Sequence, residues 1–82
     1  MLLRETVVAE LRARLEQRIS AARLAAWAFD QFYRVESEEQ EYEAGYEDIL
    51  ADVLDALMFS DEPGFALDEE GLRTMITRLQ VP

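Results

Sequence analysis

Cysteine, histidine and lysine are all missing from this sequence of 82 residues. Without cysteine the chain can form no disulfide, no thiolate zinc site and no thiol nucleophile. The lack of histidine removes the commonest general base of enzymes, and the lack of lysine removes Schiff-base chemistry and Walker-type phosphate binding. We therefore expect no catalytic site, no metal site and no cofactor.

Basic residues are scarce. The chain has 8 arginines and 18 aspartates and glutamates, which gives a net charge of -10. The imbalance lies in the second half: residues 1–34 hold six arginines and four acids, whereas residues 35–82 hold two arginines and fourteen acids. A nucleic-acid partner would be repelled by such a chain. A field of this sign speeds encounters with basic proteins, which makes a basic protein the expected partner.

Long apolar runs are also missing. No stretch reaches the roughly 18 apolar residues of a membrane span. Charged residues interrupt the first residues too early to leave the apolar run of a signal peptide. We expect a cytoplasmic protein with no membrane partner. With 50% apolar residues, the chain is expected to fold as a single domain over residues 1–82 around one core.

The apolar residues recur with the period of an α-helix, and no stretch alternates long enough to compete as a strand. The pattern predicts helices at about residues 3–18, 20–34, 46–59 and 69–79, with a backward extension of the third helix toward residue 38 left open. The second helix is apolar nearly all round, which predicts a central helix buried on most sides. Short connections then favour an all-α, compact, four-helix bundle-like domain.

Local signals mark several helix ends and one turn. Ser20 and Asp68 are predicted N-caps, whose side chains accept a hydrogen bond from an amide of the first turn. Ser37 followed by Gln40 resembles a capping box before the third helix. The segment Glu62-Pro63-Gly64-Phe65 has proline and glycine at the positions that a type II turn favours.

A row of carboxylates is the strongest candidate for a binding surface. Asp48, Asp52 and Asp55 lie at i, i+4 and i+7 on one helix face, and Glu41 precedes them. Such a row could bind a basic protein surface, or it could be a solvated face without a partner. A metal ion needs ligands that converge from several directions, and one helix supplies only a row.

Aromatic residues could supply the apolar part of the same surface. Tyr42 and Phe65 are candidate anchors, because tyrosine and other aromatics dominate interface hot spots. Phe59 projects toward the acidic side of the third helix, and Phe65 falls in the predicted turn. We expect both phenylalanines to fold back over the core rather than remain exposed.

Two families of small acidic helical proteins bear comparison. Acyl carrier proteins carry their pantetheine serine in an Asp-Ser-Leu motif, and the serines here lie in Ile19-Ser20-Ala21, Glu36-Ser37-Glu38 and Phe59-Ser60-Asp61, so that family is discarded. The order of Ile19-Ser20, Ala25-x-Trp27-Ala28, an acidic stretch, Ile49 to Met58, Ser60-Asp61 and Leu67-Asp68-Glu69-Glu70 resembles small acidic helical bacterial proteins, some of immunity type. This resemblance implies a bacterial, cytoplasmic protein that binds another protein.

Two hypotheses of function remain. In the first, the chain is a small acidic protein-binding module, of the kind that inhibits a basic partner, with the carboxylate row as its docking face. In the second, it is a structural domain without catalytic activity that self-associates as a homodimer through exposed apolar residues of its first or second helix.

Overall fold

A computed structural model describes residues 1–81, and over this range the chain forms four α-helices. They are α1 (Arg4–Leu15), α2 (Ala21–Glu36), α3 (Glu47–Met58) and α4 (Glu69–Gln80). The prediction of an all-α, four-helix domain is confirmed, and α2 is central in that it forms the most extensive helix–helix contact, with α3, and also packs against α1.

The helices pack as two antiparallel pairs. The most extensive contact joins α2 to α3, and the next joins α1 to α4. The start of α2 lies beside the residue that follows α3, since Ala21 and Ser60 line the same small cavity. Arg4 in the first turn of α1 lies beside Leu79 in the last turn of α4.

Of the four helices, α3 contributes the most side chains with no exposed surface. Leu50, Val53, Leu54 and Leu57 have no solvent-exposed surface, and their spacing of three and four residues places them on one side of the helix. The side chains of the other elements close around this side. The buried ones are Leu2, Val7, Val8, Leu11, Leu24, Ala28, Leu72, Met75, Ile76 and Leu79.

The expectation that α2 is buried on most sides is wrong. Its buried residues are Leu24, Ala25 and Ala28, whereas Phe29 and Tyr33 are 54% and 62% exposed. These two aromatics lie on the side of α2 that faces away from α1 and α3. A wide apolar arc shows that a helix can be buried on several sides, but the neighbouring elements decide which sides are covered.

The predicted N-caps at Ser20 and Asp68 and the predicted turn are confirmed. The Ser20 hydroxyl accepts the N–H of Arg23 at 3.1 Å, and a carboxylate oxygen of Asp68 accepts the N–H of Gly71 at 2.7 Å. In the turn, the N–H of Phe65 donates to the carbonyl of Glu62 at 3.1 Å, and Gly64 adopts the positive φ of 90° that a type II turn requires.

Most helix bounds differ from the prediction, by one to three residues. The first helix stops at Leu15 rather than residue 18, because Gln17 takes a left-handed φ of 60°. The N–H of Arg18 then bonds to the carbonyl of Ala13 at 2.9 Å, which completes a Schellman motif. Glycine is the usual residue at such a left-handed position and would have predicted the helix end. Glutamine at position 17 did not predict it.

Ser37 closes α2 and does not begin the third helix. Its hydroxyl donates to the carbonyl of Tyr33 at 2.8 Å, and Glu38 takes a left-handed φ of 63°. The backward extension of the third helix toward residue 38 is therefore absent, and α3 starts at Glu47.

The segment at residues 37–46 pairs instead with the start of the chain. Leu2 forms an isolated parallel bridge with Tyr42, in which the N–H of Leu2 donates to the carbonyl of Glu41 at 2.7 Å. The N–H of Glu43 donates back to the carbonyl of Leu2 at 2.9 Å. This pairing buries the side chain of Leu2 in the core.

Candidate protein-binding surface

The outer side of α3 carries the predicted carboxylate row. Asp48, Asp52 and Asp55 are all exposed, opposite the buried leucines of the same helix. Phe59, the C-cap residue of α3, continues the row by one further turn. We name this surface the α3 face and define it as Asp48, Asp52, Asp55, Phe59 and Phe65.

The three aspartates differ in their electrostatic surroundings. Asp52 accepts a hydrogen bond from the Arg78 guanidinium of α4 at 2.9 Å, which partly offsets its charge. Asp48 and Asp55 form no ion pair with any residue between 1 and 81. Two of the three carboxylates can therefore meet a cation without first breaking an internal ion pair.

An exposed aromatic pair stands at the C-terminal end of the α3 face. The rings of Phe59 and Phe65 lie 6.5 Å apart, tilted by 51°, and the two residues are 48% and 63% exposed. The expectation that both fold back over the core is wrong. Glu62 to Phe65 form a tight turn, which returns Phe65 to the outer side of α3 and places it against Phe59 instead.

Glu41 and Tyr42 lie in a groove near the opposite end of α3. The groove has a volume of about 500 Å³, and it places the carboxylates of Glu38, Glu41 and Glu47 around the apolar surface of Val35 and Tyr42. Glu41 is exposed, whereas Tyr42 is half-buried against the core. Burial raises the pKa of the Tyr42 hydroxyl, and the negative charge of Glu36 raises it further, so this hydroxyl stays protonated at neutral pH.

Unpaired carboxylates are concentrated between residues 36 and 48. Within the described chain, the exposed acids of this segment that form no ion pair are Glu36, Glu38, Glu39, Glu41, Glu47 and Asp48. Glu43 is different, because Arg4 binds it. The segment therefore presents a dense negative field toward solvent at the start of α3.

The predicted site residues thus fall into two neighbouring groups. The aspartate row shares the α3 face with Phe65, and Glu41 shares the groove with Tyr42. Glu47 lines the groove and directly precedes Asp48, so the two groups adjoin. Phe59 was not among the predicted anchors, although its position four residues after Asp55 places it on the same candidate surface.

Over residues 1–81, no three or more side chains of aspartate, glutamate, histidine or cysteine are grouped so that they could hold a metal ion. None of the helices in this part of the chain combines the length and the apolar character needed to cross a membrane.

Comparison with protein-family models, with curated proteins and with solved structures finds no match to this chain.

Proposed function

We propose that this chain is a small acidic protein-binding module that docks on the basic surface of a partner protein and inhibits it, as immunity-type proteins do. The observation that carries the proposal is the α3 face, where unpaired carboxylates adjoin an exposed aromatic pair. A face of this kind offers arginine and lysine side chains both an apolar contact and a negative charge.

The aromatic pair supplies the apolar part. Arginine and lysine have long apolar stems that can pack on Phe59 and Phe65, and their cations gain from lying over an aromatic ring. Asp55 precedes Phe59 by one helical turn, so its carboxylate lies within reach of the same cation. Aromatic residues, phenylalanine included, are enriched at the buried centre of protein interfaces, where a few residues supply most of the binding energy.

The acidic segment supplies a long-range electrostatic attraction. The unpaired carboxylates between residues 36 and 48 attract a basic surface before contact, which raises the association rate and makes it sensitive to salt. The field also repels polyanions, so nucleic acid is excluded from the proposal. The proposal includes action in the bacterial cytoplasm, without a cofactor and without catalytic activity of its own.

The experiment is affinity capture from the native cells at low salt, followed by native mass spectrometry of the eluted complex. We expect one copy of the chain bound to one copy of a basic protein. Once that protein is purified, its dissociation constant is measured against three forms of the chain. They are the native sequence, the variant Asp48→Asn/Asp52→Asn/Asp55→Asn and the variant Phe59→Ala/Phe65→Ala.

The matched control is Glu5→Gln/Glu16→Gln/Glu70→Gln, which removes the same number of exposed charges away from the α3 face. We expect each α3-face variant to weaken binding at least tenfold, and the control to change it less than twofold. Equal losses in the aspartate variant and the control would mean that only net charge matters. Unchanged binding in both α3-face variants would overturn the proposed surface.

A further inference from the structure

The outer side of α2 carries an apolar seam with no partner in the described chain. Ala22, Ala26, Phe29 and Tyr33 follow one another at spacings of four, three and four residues, the spacing of a coiled-coil seam. All four are exposed, and the ring centroids of Phe29 and Tyr33 lie 5.8 Å apart. We name these four residues the α2 seam.

We propose that the α2 seam binds a second copy of this chain, with the two α2 helices antiparallel about a two-fold axis. In this arrangement Phe29 faces Ala26 of the second copy, and Tyr33 faces Ala22 of the second copy. Each large ring then meets a small side chain, so the two surfaces interdigitate at a short interhelical distance. The symmetry repeats every contact, because a two-fold interface uses the same patch on both copies.

A parallel arrangement lacks this fit. It would set Phe29 against Phe29 and Tyr33 against Tyr33, while the alanines would face each other at the opposite end of the seam. Helices held apart by paired rings cannot close on paired alanines, which would leave an unfilled gap. The order of small residues followed by large ones along α2 therefore selects the antiparallel orientation.

Charges beside the seam complement each other in the same orientation. Arg23 and Asp30 flank the seam on one side, seven residues apart. In the antiparallel register, Arg23 of one copy lies opposite Asp30 of the other, and the two-fold axis forms this pair twice. Arg23 has no ion partner within residues 1–81, and Asp30 pairs only with Arg34 of its own helix, at 3.0 Å.

The α2 seam and the α3 face belong to different helices and share no residue. Burial of two exposed aromatics also suits a chain of 82 residues, because so small a core buries a limited apolar area.

The first experiment measures self-association of the purified full chain by sedimentation equilibrium up to several hundred micromolar. We expect a reversible monomer–dimer equilibrium, and we expect Phe29→Ala/Tyr33→Ala to weaken it at least tenfold. Phe59→Ala/Phe65→Ala is the matched control, because it removes an equally exposed aromatic pair elsewhere. Circular dichroism establishes that each variant is folded. A native chain that stays monomeric over this range overturns the proposal, as does equal weakening by the control.

The second experiment determines the relative orientation of the two α2 helices. Because the chain has no native cysteine, only introduced cysteines can form a disulfide. A chain with Ala22→Cys is mixed with a chain with Tyr33→Cys, and the mixture is oxidised mildly. The antiparallel register predicts a disulfide between the two different chains and little between two copies carrying Ala22→Cys. Efficient linkage between two copies carrying Ala22→Cys indicates a parallel pair and overturns the proposal.

The third experiment tests the charge pairing. Arg23→Asp places two carboxylates opposite each other, so we expect the dimer to weaken at least fivefold. The variant Arg23→Asp/Asp30→Arg/Arg34→Asp reverses both the intermolecular pair and the intrahelical pair, and we expect it to restore dimerisation to within about twofold of the native chain. Failure of this reversal, in a chain that folds normally, contradicts the proposed register.

Discussion

Glu43 binds Arg4 through both of its carboxylate oxygens. One oxygen accepts the backbone N–H of Arg4 at 2.9 Å, and the other accepts the guanidinium Nε–H at 3.1 Å. The same guanidinium lies over the ring of Tyr46, 3.5 Å from its centre, and donates to the carbonyl of Leu79 at 3.3 Å. Glu43 therefore caps α1 from a distant segment, and Arg4 joins that segment to the end of α4.

The stability of this link should depend on pH. The Arg4 N–H, the guanidinium hydrogen bond and the guanidinium charge all favour the carboxylate form and lower the pKa of Glu43. Its contribution is therefore fully present above the ordinary glutamate pKa of about 4.3 and is lost as the pH falls through the lower pKa of the folded state. We expect Glu43→Gln to lower the melting temperature at pH 7 and to lower it by less at pH 2.5.

Glu5→Gln is the control for that series, because it neutralises an exposed glutamate of the same helix end that forms no ion pair in residues 1–81. Melting curves of the three proteins are compared at each pH. A gap between Glu43→Gln and the native chain that persists undiminished at pH 2.5 would contradict the proposed linkage.

The buried side of α3 should dominate stability. Leu57→Ala removes a side chain with no exposed surface, so we expect a loss of about 3 kcal/mol in the free energy of unfolding. Phe59→Ala, two residues later, removes a half-exposed ring and should cost about 1 kcal/mol or less. Urea unfolding followed by circular dichroism measures both, and equal losses would show that Phe59 is part of the core.

The two N-caps should contribute similar amounts. Ser20→Ala and Asp68→Ala each leave a first-turn amide without its side-chain acceptor, which costs about 1 kcal/mol. Ser37→Ala is the comparison. The Ser37 hydroxyl donates to exposed carbonyls at the end of α2, and water can hydrogen-bond to these carbonyls in its place. If Ser37→Ala destabilised the protein as much as Ser20→Ala, the distinction between these two roles would be wrong.

The left-handed residues that end α1 and α2 offer a route to higher stability. Gln17 and Glu38 adopt φ values of 60° and 63°, which cost a residue with a Cβ atom more than they cost glycine. We expect Gln17→Gly and Glu38→Gly each to raise the free energy of unfolding by roughly 0.5–1 kcal/mol, after the larger entropy loss of glycine is subtracted. Ser37→Gly, at a residue with negative φ, should give no such gain.

Salt should stabilise the folded chain. The unpaired carboxylates between residues 36 and 48 repel one another, and a Debye length of about 8 Å at physiological ionic strength screens much of that repulsion. We expect the melting temperature to rise between 10 and 200 mM NaCl, and to rise less in Glu38→Gln/Glu39→Gln/Glu41→Gln. A salt response that is identical in the two proteins would place the repulsion elsewhere in the chain.

Features that depend on neighbours in sequence were predictable. The caps at Ser20 and Asp68 and the turn at Pro63-Gly64 each rest on side chains or backbone within a few residues. The helical period likewise placed Asp48 and Asp55 together on one side of α3. Where the local chemistry lacked a recognisable signal, as at the left-handed Gln17, the predicted end of the helix was wrong.

Helical periodicity and capping residues thus determined the number of helices, their approximate bounds and the side of α3 that carries the carboxylates. Only the tertiary structure decided that Leu2 pairs with Tyr42, that Arg78 reaches Asp52, that Phe65 rests on Phe59 and that Phe29 remains exposed. The physical reason is distance along the chain. Periodicity reports which residues share a face of one helix, whereas the covering of that face depends on elements that meet it only after the chain has folded.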